Sequence, residues 1–208
     1  MHEQNSYDPR IRTAPFHKSL YDAGRFGRKT RHGNYKYDAD GNMIDVPSPD
    51  YKTMSEKATK VVIPEDVEIF SDLLAGAGMA VTDDGESPIV VALFGEDCST
   101  FAHRTGLDYR RIVAIDTTGD LSKRVTLMTA PGATKIMIDS VATLINENGR
   151  VVTAIKDSPG FISQRIRAMI GNLGCEMAQI ELATSEDIDL AMRLGLNYPM
   201  GPLEIIDD

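Results

Sequence analysis

The residues able to do chemistry are few and scattered. A dinucleotide site needs a strand, then G-x-G-x-x-G, then a helix whose N-terminus meets the pyrophosphate. The G-x-G of this chain, Gly76-Ala77-Gly78, follows a helical pattern and precedes a strand pattern. That is the reverse order, and Val81 stands at the third glycine position, so a helix-ending turn is expected. Gly95-Glu96-Asp97 is better placed, after a strand pattern, but two acids repel a phosphate and suit a helix cap. His103 falls near the end of a short helical pattern, where a histidine more often partners the helix terminus than catalyses. Ser99 and Ser122 have neither an elbow nor a base at motif spacing. Cys98, Cys175 and the four histidines show no metal-ligand spacing, so no metal site is expected. Glu186, Asp187 and Asp189 open a helical pattern, where acids complement the dipole. Arg25, Arg28, Lys29 and Arg31 can hold a phosphate-bearing ligand, or form a solvated turn that needs none.

The elements that must position these residues change character along the chain. Ala14 to Tyr21 reads as a short helix, with Phe16 and Leu20 four apart. Tyr35 and Tyr37 alternate as in a strand, Asp40-Gly41 marks a turn, and residues 45–59, with Pro47 and Pro49, read as a linker. From Lys60 strand and helix patterns alternate. Strands are expected at 61–63, 80–81, 89–94, 111–115, 124–128 and 151–155. Helices are expected at 64–75, 97–104 and 134–146. The run Ile89 to Phe94 suits a strand buried on both faces. The alternation implies an open, mostly parallel α/β sheet. A helical end follows. Ser158 is its N-cap candidate and Pro159 suits the first helical position. Ile162, Ile166, Met169, Leu173, Met177 and Ile180 then recur at steps of three or four, a second helix runs from Ser185 to Gly195, and Gly201-Pro202 opens a third.

Composition bounds the function. Of 208 residues, 42% are apolar, enough for a core, and the net charge is −9. That argues against a nonspecific nucleic-acid binder. The charge is split: residues 1–60 hold 11 basic and 8 acidic side chains, net +3, and residues 61–208 hold 11 and 23, net −12. No run of about 18 apolar residues suggests a membrane span. The polar start from Met1 to Arg12 lacks a secretory h-region, and two distant cysteines fit a reduced, cytoplasmic setting.

Spaced motifs add a resemblance. Asp157-Ser158-Pro159-Gly160-Phe161-Ile162-Ser163-Gln164-Arg165 is similar to the signature of 3-hydroxyacyl-CoA dehydrogenases. Ser185 to Asp189, Ala191 to Gly195 and Tyr198-Pro199-Met200-Gly201-Pro202-Leu203-Glu204 resemble the same family's C-terminal helical domain. Pro9-Arg10-Ile11-Arg12, Ala23 to Thr30 and Tyr35-Lys36-Tyr37-Asp38 resemble the closing segment of that domain. The order is thus inverted, as in tandem members of the family. The resemblance implies a reduced Rossmann-like α/β module followed by an all-α domain of the 6-phosphogluconate dehydrogenase-like helical type. It divides the chain into the tail of a preceding helical domain (1–44), a linker (45–59), the module (60–156) and a truncated helical domain (157–208). The chain then reads as a section of a longer enzyme.

What the resemblance implies for function is oxidation of a 3-hydroxyacyl-CoA to a 3-oxoacyl-CoA with NAD. The family's base is a histidine in a His-Phe-Phe-Asn-Pro-like run after a strand, oriented by a glutamate further on. Here Asp116-Thr117-Thr118-Gly119-Asp120 stands in that place, so Asp116 falls at the histidine position and Met128 near the glutamate position. A carboxylate, with an ordinary pKa of about 3.9, is a weaker base than imidazole. Gln164 stands at the position of the active-site asparagine, one methylene longer. By resemblance, Ser158, Pro159, Gly160, Phe161 and Arg165 belong to a substrate-binding segment, with an acyl-CoA as partner and the helical domain as the surface for a homo-oligomer such as a dimer. With the cofactor glycines missing, NAD is not expected to bind this chain alone. Two functions follow. One is a scaffold and substrate cover within an NAD-dependent dehydrogenase. The other is a non-catalytic acyl-CoA-binding or assembly module derived from it.

Overall fold

The computed structural model describes residues 12–44, 46, 50–65 and 67–207. The Pro9-Arg10-Ile11 motif and the linker prolines Pro47 and Pro49 lie outside the described residues. The chain forms two compact units, Met1–Pro49 and Asp50–Asp208.

In the first unit, Pro15 starts helix α1 (Pro15–Asp22), which buries none of its residues. A 3-10 turn at Arg28–Thr30 leads to an antiparallel hairpin of β1 (Lys36–Tyr37) and β2 (Met43–Ile44). Asp38 closes the hairpin, accepting hydrogen bonds from the backbone of Asp40 (2.9 Å) and Asn42 (2.8 Å). Gly33 packs so close to Gly27 that a Cβ would lie 2.7 Å from the Gly27 Cα. It is the buried position of this unit among the described residues.

The second unit is built on β3 (Lys60–Val62), β4 (Gly78–Ala80), β5 (Ile89–Ala92), β6 (Ile112–Ile115), β7 (Arg124–Thr129) and β8 (Val151–Lys156). The sheet order is β4-β3-β5-β6-β7-β8. All pairs are parallel except β6 and β7, where Ala114 faces Met128. Alternate strand residues feed two cores. Val61, Val90, Val113, Leu127 and Val152 meet Leu144 and Ile145 of α4 (Lys135–Glu147) on one face. Val62, Ile89, Val91, Ile112 and Met128 meet Cys98 and Phe101 of α3 (Cys98–Thr105) on the other.

Several expectations shift. The helix expected over 64–75 contracts to the single turn α2 (Phe70–Leu73). Its buried residues Phe70 and Leu73 are seated within that turn, the buried Leu74 follows as its C-cap, and Gly76, at φ +93°, then turns the chain toward β4. The strand expected over 89–94 stops at Ala92: Leu93 is buried but Phe94 is 80% exposed. Residues 50–59, expected to link, pack on the sheet unit instead. Tyr51 donates its amide to the Val152 carbonyl (2.6 Å) and its hydroxyl to Asp139 (2.6 Å).

The helical end comprises α5 (Ile162–Gln179), α6 (Ser185–Leu196) and α7 (Glu204–Asp207). Neither Ser158 nor Pro159 starts α5. Gly160 takes φ +75°, which a right-handed helix cannot include, so Phe161 becomes the N-cap. α6 ends on Asn197, at φ 56°, rather than at Gly195, since asparagine tolerates the left-handed cap. The apolar stripe of α5 is also turned outward. Ile162, Ile166, Met169, Leu173 and Ile180 are exposed, and the buried positions are Gln164, Gly171 and Gly174.

Candidate functional site

The sheet end and the first turn of α5 bring together four polar side chains. Asp116 follows β6 and is 5% exposed; Gln164, on α5, is 6% exposed. Asp116 Oδ1 accepts from the Thr118 hydroxyl (2.7 Å), the Thr118 amide (3.1 Å) and Gln164 Nε2 (3.1 Å). Its Oδ2 accepts from the Ser163 hydroxyl. The Ser163 and Thr118 hydroxyls lie 3.1 Å apart.

Gln164 is equally committed. Its Nε2 also donates to the Leu93 carbonyl (2.9 Å). Its Oε1 accepts from the amides of Gly95 (3.0 Å) and Phe161 (3.4 Å). A primary amide has two donors and two acceptor sites, and all four are used here. The local reason is the N3 position of Gln164 on α5, from which a side chain reaches back to the N-cap amide. The result is a closed network with no hydrogen-bonding group of the amide left over.

Beside it lies a cleft of about 480 Å³. Thr118 and Gln164 belong to both the network and the cleft. Phe94, Thr117, Gly119, Arg167, Ala168, Ile205 and Ile206 complete the lining. The α7 wall is held by two glycines that the sequence reading passed over. A Cβ on Gly171 would meet Ile206 Cγ1 at 2.8 Å, and one on Gly174 would meet Pro202 Cβ at 2.6 Å. Two glycines three apart inside a helical pattern were the available signal for such an approach. Asp189 accepts from the Leu203 amide (2.8 Å), and Glu204 accepts from the Gly201 amide (2.8 Å) and pairs with Arg193. Asp189 therefore fixes the α7 turn, and Glu186 and Asp187 lie in the first turn of α6, as expected.

Other candidates have structural partners. Asp97 caps α3 by accepting from the Thr100 amide (2.7 Å), as expected. Asp157 reinforces it, accepting from the amides of Cys98 (2.8 Å) and Ser99 (3.2 Å) and from the Ser99 hydroxyl (2.5 Å). Cys98 is buried, and burial first, then the nearby Asp157, pushes its thiol well above the ordinary range. Gly78 opens β4, level with the first residue of β3. Dinucleotides bind at the opposite, carboxyl ends of parallel strands. The Gly76-Ala77-Gly78 turn and the doubly acid-capped α3 therefore do not fit NAD. His103 lies in the last turn of α3. The basic group Arg25, Arg28, Lys29 and Arg31 is exposed, with Arg28 stacked 5.7 Å from the Tyr37 ring centre. No group of three or more His, Cys, Asp or Glu side chains could hold a metal ion among the described residues.

Of the residues singled out by resemblance, Asp116 and Gln164 meet. Arg165 donates to the Ser158 hydroxyl (3.0 Å). Phe161 is a core side chain, and Gly160 approaches Gly95. Ser158, Pro159, Gly160, Phe161 and Arg165 lie outside the cleft lining. Met128 is buried in β7.

The comparisons with known proteins agree with one another. The family described as "3-hydroxyacyl-CoA dehydrogenase, C-terminal domain" matches residues 160–208. The 3-hydroxyadipyl-CoA dehydrogenase of Escherichia coli K12 is 30% identical over 186 residues, 89% of this chain and 35% of that one. Residues 160–208 thus carry the C-terminal domain of the 3-hydroxyacyl-CoA dehydrogenase family, and the chain as a whole is similar to its members. The mitochondrial hydroxyacyl-coenzyme A dehydrogenase of Sus scrofa is 33% identical over 87 residues, covering 42% of this chain and 28% of that one. The chain thus spans about a third of the length of these curated relatives. The crystal structure of a 3-hydroxybutyryl-CoA dehydrogenase from Escherichia coli K12 aligns with a TM-score of 0.70 and 27% identity, over 98% of this chain and 39% of that one. The fold alone is shared with the (S)-3-hydroxybutyryl-CoA dehydrogenase of Ralstonia eutropha, at TM-score 0.52 and 24% identity, over 71% of this chain and 53% of that one. No described helix is long and apolar enough to cross a membrane.

Proposed function

We propose that this chain is a non-catalytic section of an NAD-dependent 3-hydroxyacyl-CoA dehydrogenase. The activity it would serve is oxidation of a 3-hydroxyacyl-CoA to a 3-oxoacyl-CoA, and its own part is scaffold and substrate cover. The observation that carries this is the closed network around Asp116. A base must offer a lone pair to the substrate hydroxyl. Both Asp116 oxygens already receive donors from this chain, and Gln164 has no free amide group to orient a substrate. NAD belongs to the family, but the glycine turn and α3 offer it no place here. The proposed division is a preceding helical tail (1–44), a linker that ends before Asp50, the sheet module from Asp50 to residue 156 and the helical domain (157–208). The outward apolar stripe of α5 supports a homo-oligomer through the helical domain. The proposed setting is cytoplasmic.

A second reading, a non-catalytic acyl-CoA-binding or assembly module, is favoured by the cleft beside the network. The test is to incubate the chain with acetoacetyl-CoA and NADH and follow the absorbance of the reduced cofactor. No turnover is expected. Turnover that Gln164→Ala abolishes would overturn the scaffold reading. Measurable CoA-ester binding without turnover would select the second one.

A further inference from the structure

We propose that the first unit binds a nucleoside phosphate in the cavity between α1 and the hairpin. The aromatic rings of the cavity stack on the base, and the basic group around Gly27 meets the phosphates. The inference goes beyond both readings above. It uses no residue of the Asp116 network and stands whichever of them holds.

Three observations converge. The first is charge. Residues 12–44 hold seven Lys and Arg against three Asp, net +4. Asp22 is paired with Lys18 (2.7 Å), and Asp38 is spent on the backbone of Asp40 and Asn42. Among the described residues, no carboxylate lies within ion-pair distance of Arg25, Arg28, Lys29 or Arg31. An apolar surface packed over them would strand four cations, whereas a phosphate chain neutralises them. The second is the lining. A cavity of about 370 Å³ falls within the range of roughly 300–1,000 Å³ typical of small-ligand sites. Tyr21, Phe26, Tyr35 and Tyr37 line it together with Arg25 and His17. Tyr21, Phe26 and Tyr35 are exposed. Aromatic rings beside cations are what a base and its phosphates need, because every base has a face to stack. Inorganic phosphate has no ring to place there. The third is the turn at the cavity edge. Gly27, in the cavity wall, opens the turn Arg28–Thr30. Gly27 and His32 exchange both backbone hydrogen bonds (3.1 and 3.0 Å), and the Thr30 hydroxyl accepts from the Phe26 amide (2.9 Å). Arg31 is held at φ 55°, a left-handed conformation uncommon for a residue with a side chain. Arg28 lies 5.7 Å from the centre of the Tyr37 ring, so one cation already sits at the wall. The turn thus places its cations on a bonded backbone before a ligand arrives, which lowers the ordering cost of binding.

The inference is tested on the full chain, labelled with nitrogen-15 and titrated with ADP, adenosine, pyrophosphate and acetoacetyl-CoA. ADP is expected to shift the amide signals of Gly27, Gly33 and Tyr35 and to bind roughly tenfold tighter than adenosine or pyrophosphate. Arg25→Gln should weaken ADP roughly fivefold and leave adenosine within about twofold. Tyr35→Leu should weaken ADP and adenosine alike and leave pyrophosphate unchanged. The amides of Asp40 and Asn42, bonded to Asp38, report that the hairpin survives in each variant. Acetoacetyl-CoA binding tighter than ADP, with the same amides shifted, would assign the nucleotide end of a CoA ester as the source, and the reverse a free nucleotide. Equal binding of ADP and adenosine, or pyrophosphate binding as tightly as ADP, would overturn the proposal. So would unchanged ADP affinity in Arg25→Gln, or shifts confined to residues 50–207.

Discussion

Asp116→Ala is the sharpest probe of the network. It removes the acceptor of four hydrogen bonds in a site where the carboxylate is 5% exposed. Hydrogen bonds to charged groups contribute about 1.5–3 kcal/mol each. They do not add, because deletion also relieves the desolvation of a buried charge and both hydroxyls can turn to other partners. Gln164 keeps its bond to the Leu93 carbonyl. The expected net loss is about 3 kcal/mol. For a chain of this size each kcal/mol lowers the melting temperature by about 2–4 °C, so a drop of roughly 6–12 °C is expected. Asp116→Asn is the control. Its oxygen can keep the Thr118 and Gln164 donors while its amide turns to the Ser163 oxygen, so about 1 kcal/mol and roughly 2–4 °C are expected. Urea unfolding of both variants, with Ser163→Ala and the double variant, gives the coupling energy, expected at about 1–2 kcal/mol. If Asp116→Ala matches the parent chain, or if asparagine costs as much as alanine, the hydrogen-bond account is wrong.

Gly174→Ala should destabilise although alanine favours helix, because its Cβ would overlap Pro202; Gly195→Ala, with open space around it, should stabilise by about 0.5–1 kcal/mol, and chemical denaturation separates the two. Asp139 is buried, which raises its pKa, but its bonds to Lys135 and Tyr51 outweigh this and hold it below the ordinary value. Its contribution to stability is therefore complete above about pH 4 and lost as the pH falls below that; Asp139→Asn should flatten this acid limb of a stability–pH curve. Asp157→Ala strips Cys98 and Ser99 of their acceptor at the start of α3. A loss of about 1–2 kcal/mol is expected in thermal unfolding, with faster amide exchange confined to the first turn of α3.

The alternation of strand and helix was legible because period-2 and period-3.6 patterns follow from backbone geometry. Asp97 as a cap and Asp40-Gly41 as a hairpin turn were legible for the same local reason. The apolar repeat of α5 misled. Spacing shows that its residues share a face, not whether that face turns inward, and here Gln164, Gly171 and Gly174 take the inside. In the site, Asp116 and Gln164 were reachable through motif resemblance. Ser163 and Thr118 were not, because a hydroxyl's partner is set by the docking of α5 against the strand end, forty-five residues away along the chain. Arg167 carries no motif, and only the cleft distinguishes it.

The first unit encloses almost nothing: among its described residues Gly33 alone is buried, and turns and a short hairpin hold the rest. A segment with no interior has little latent heat to release. Its backbone opens by gradual local fraying, without a shared transition. A calorimetric endotherm of the whole chain therefore reports the unit from Asp50 onward. Unfolding enthalpy and heat-capacity change should be scaled to residues 50–208; scaled to the full length, they would make a normally packed sheet domain look loosely packed.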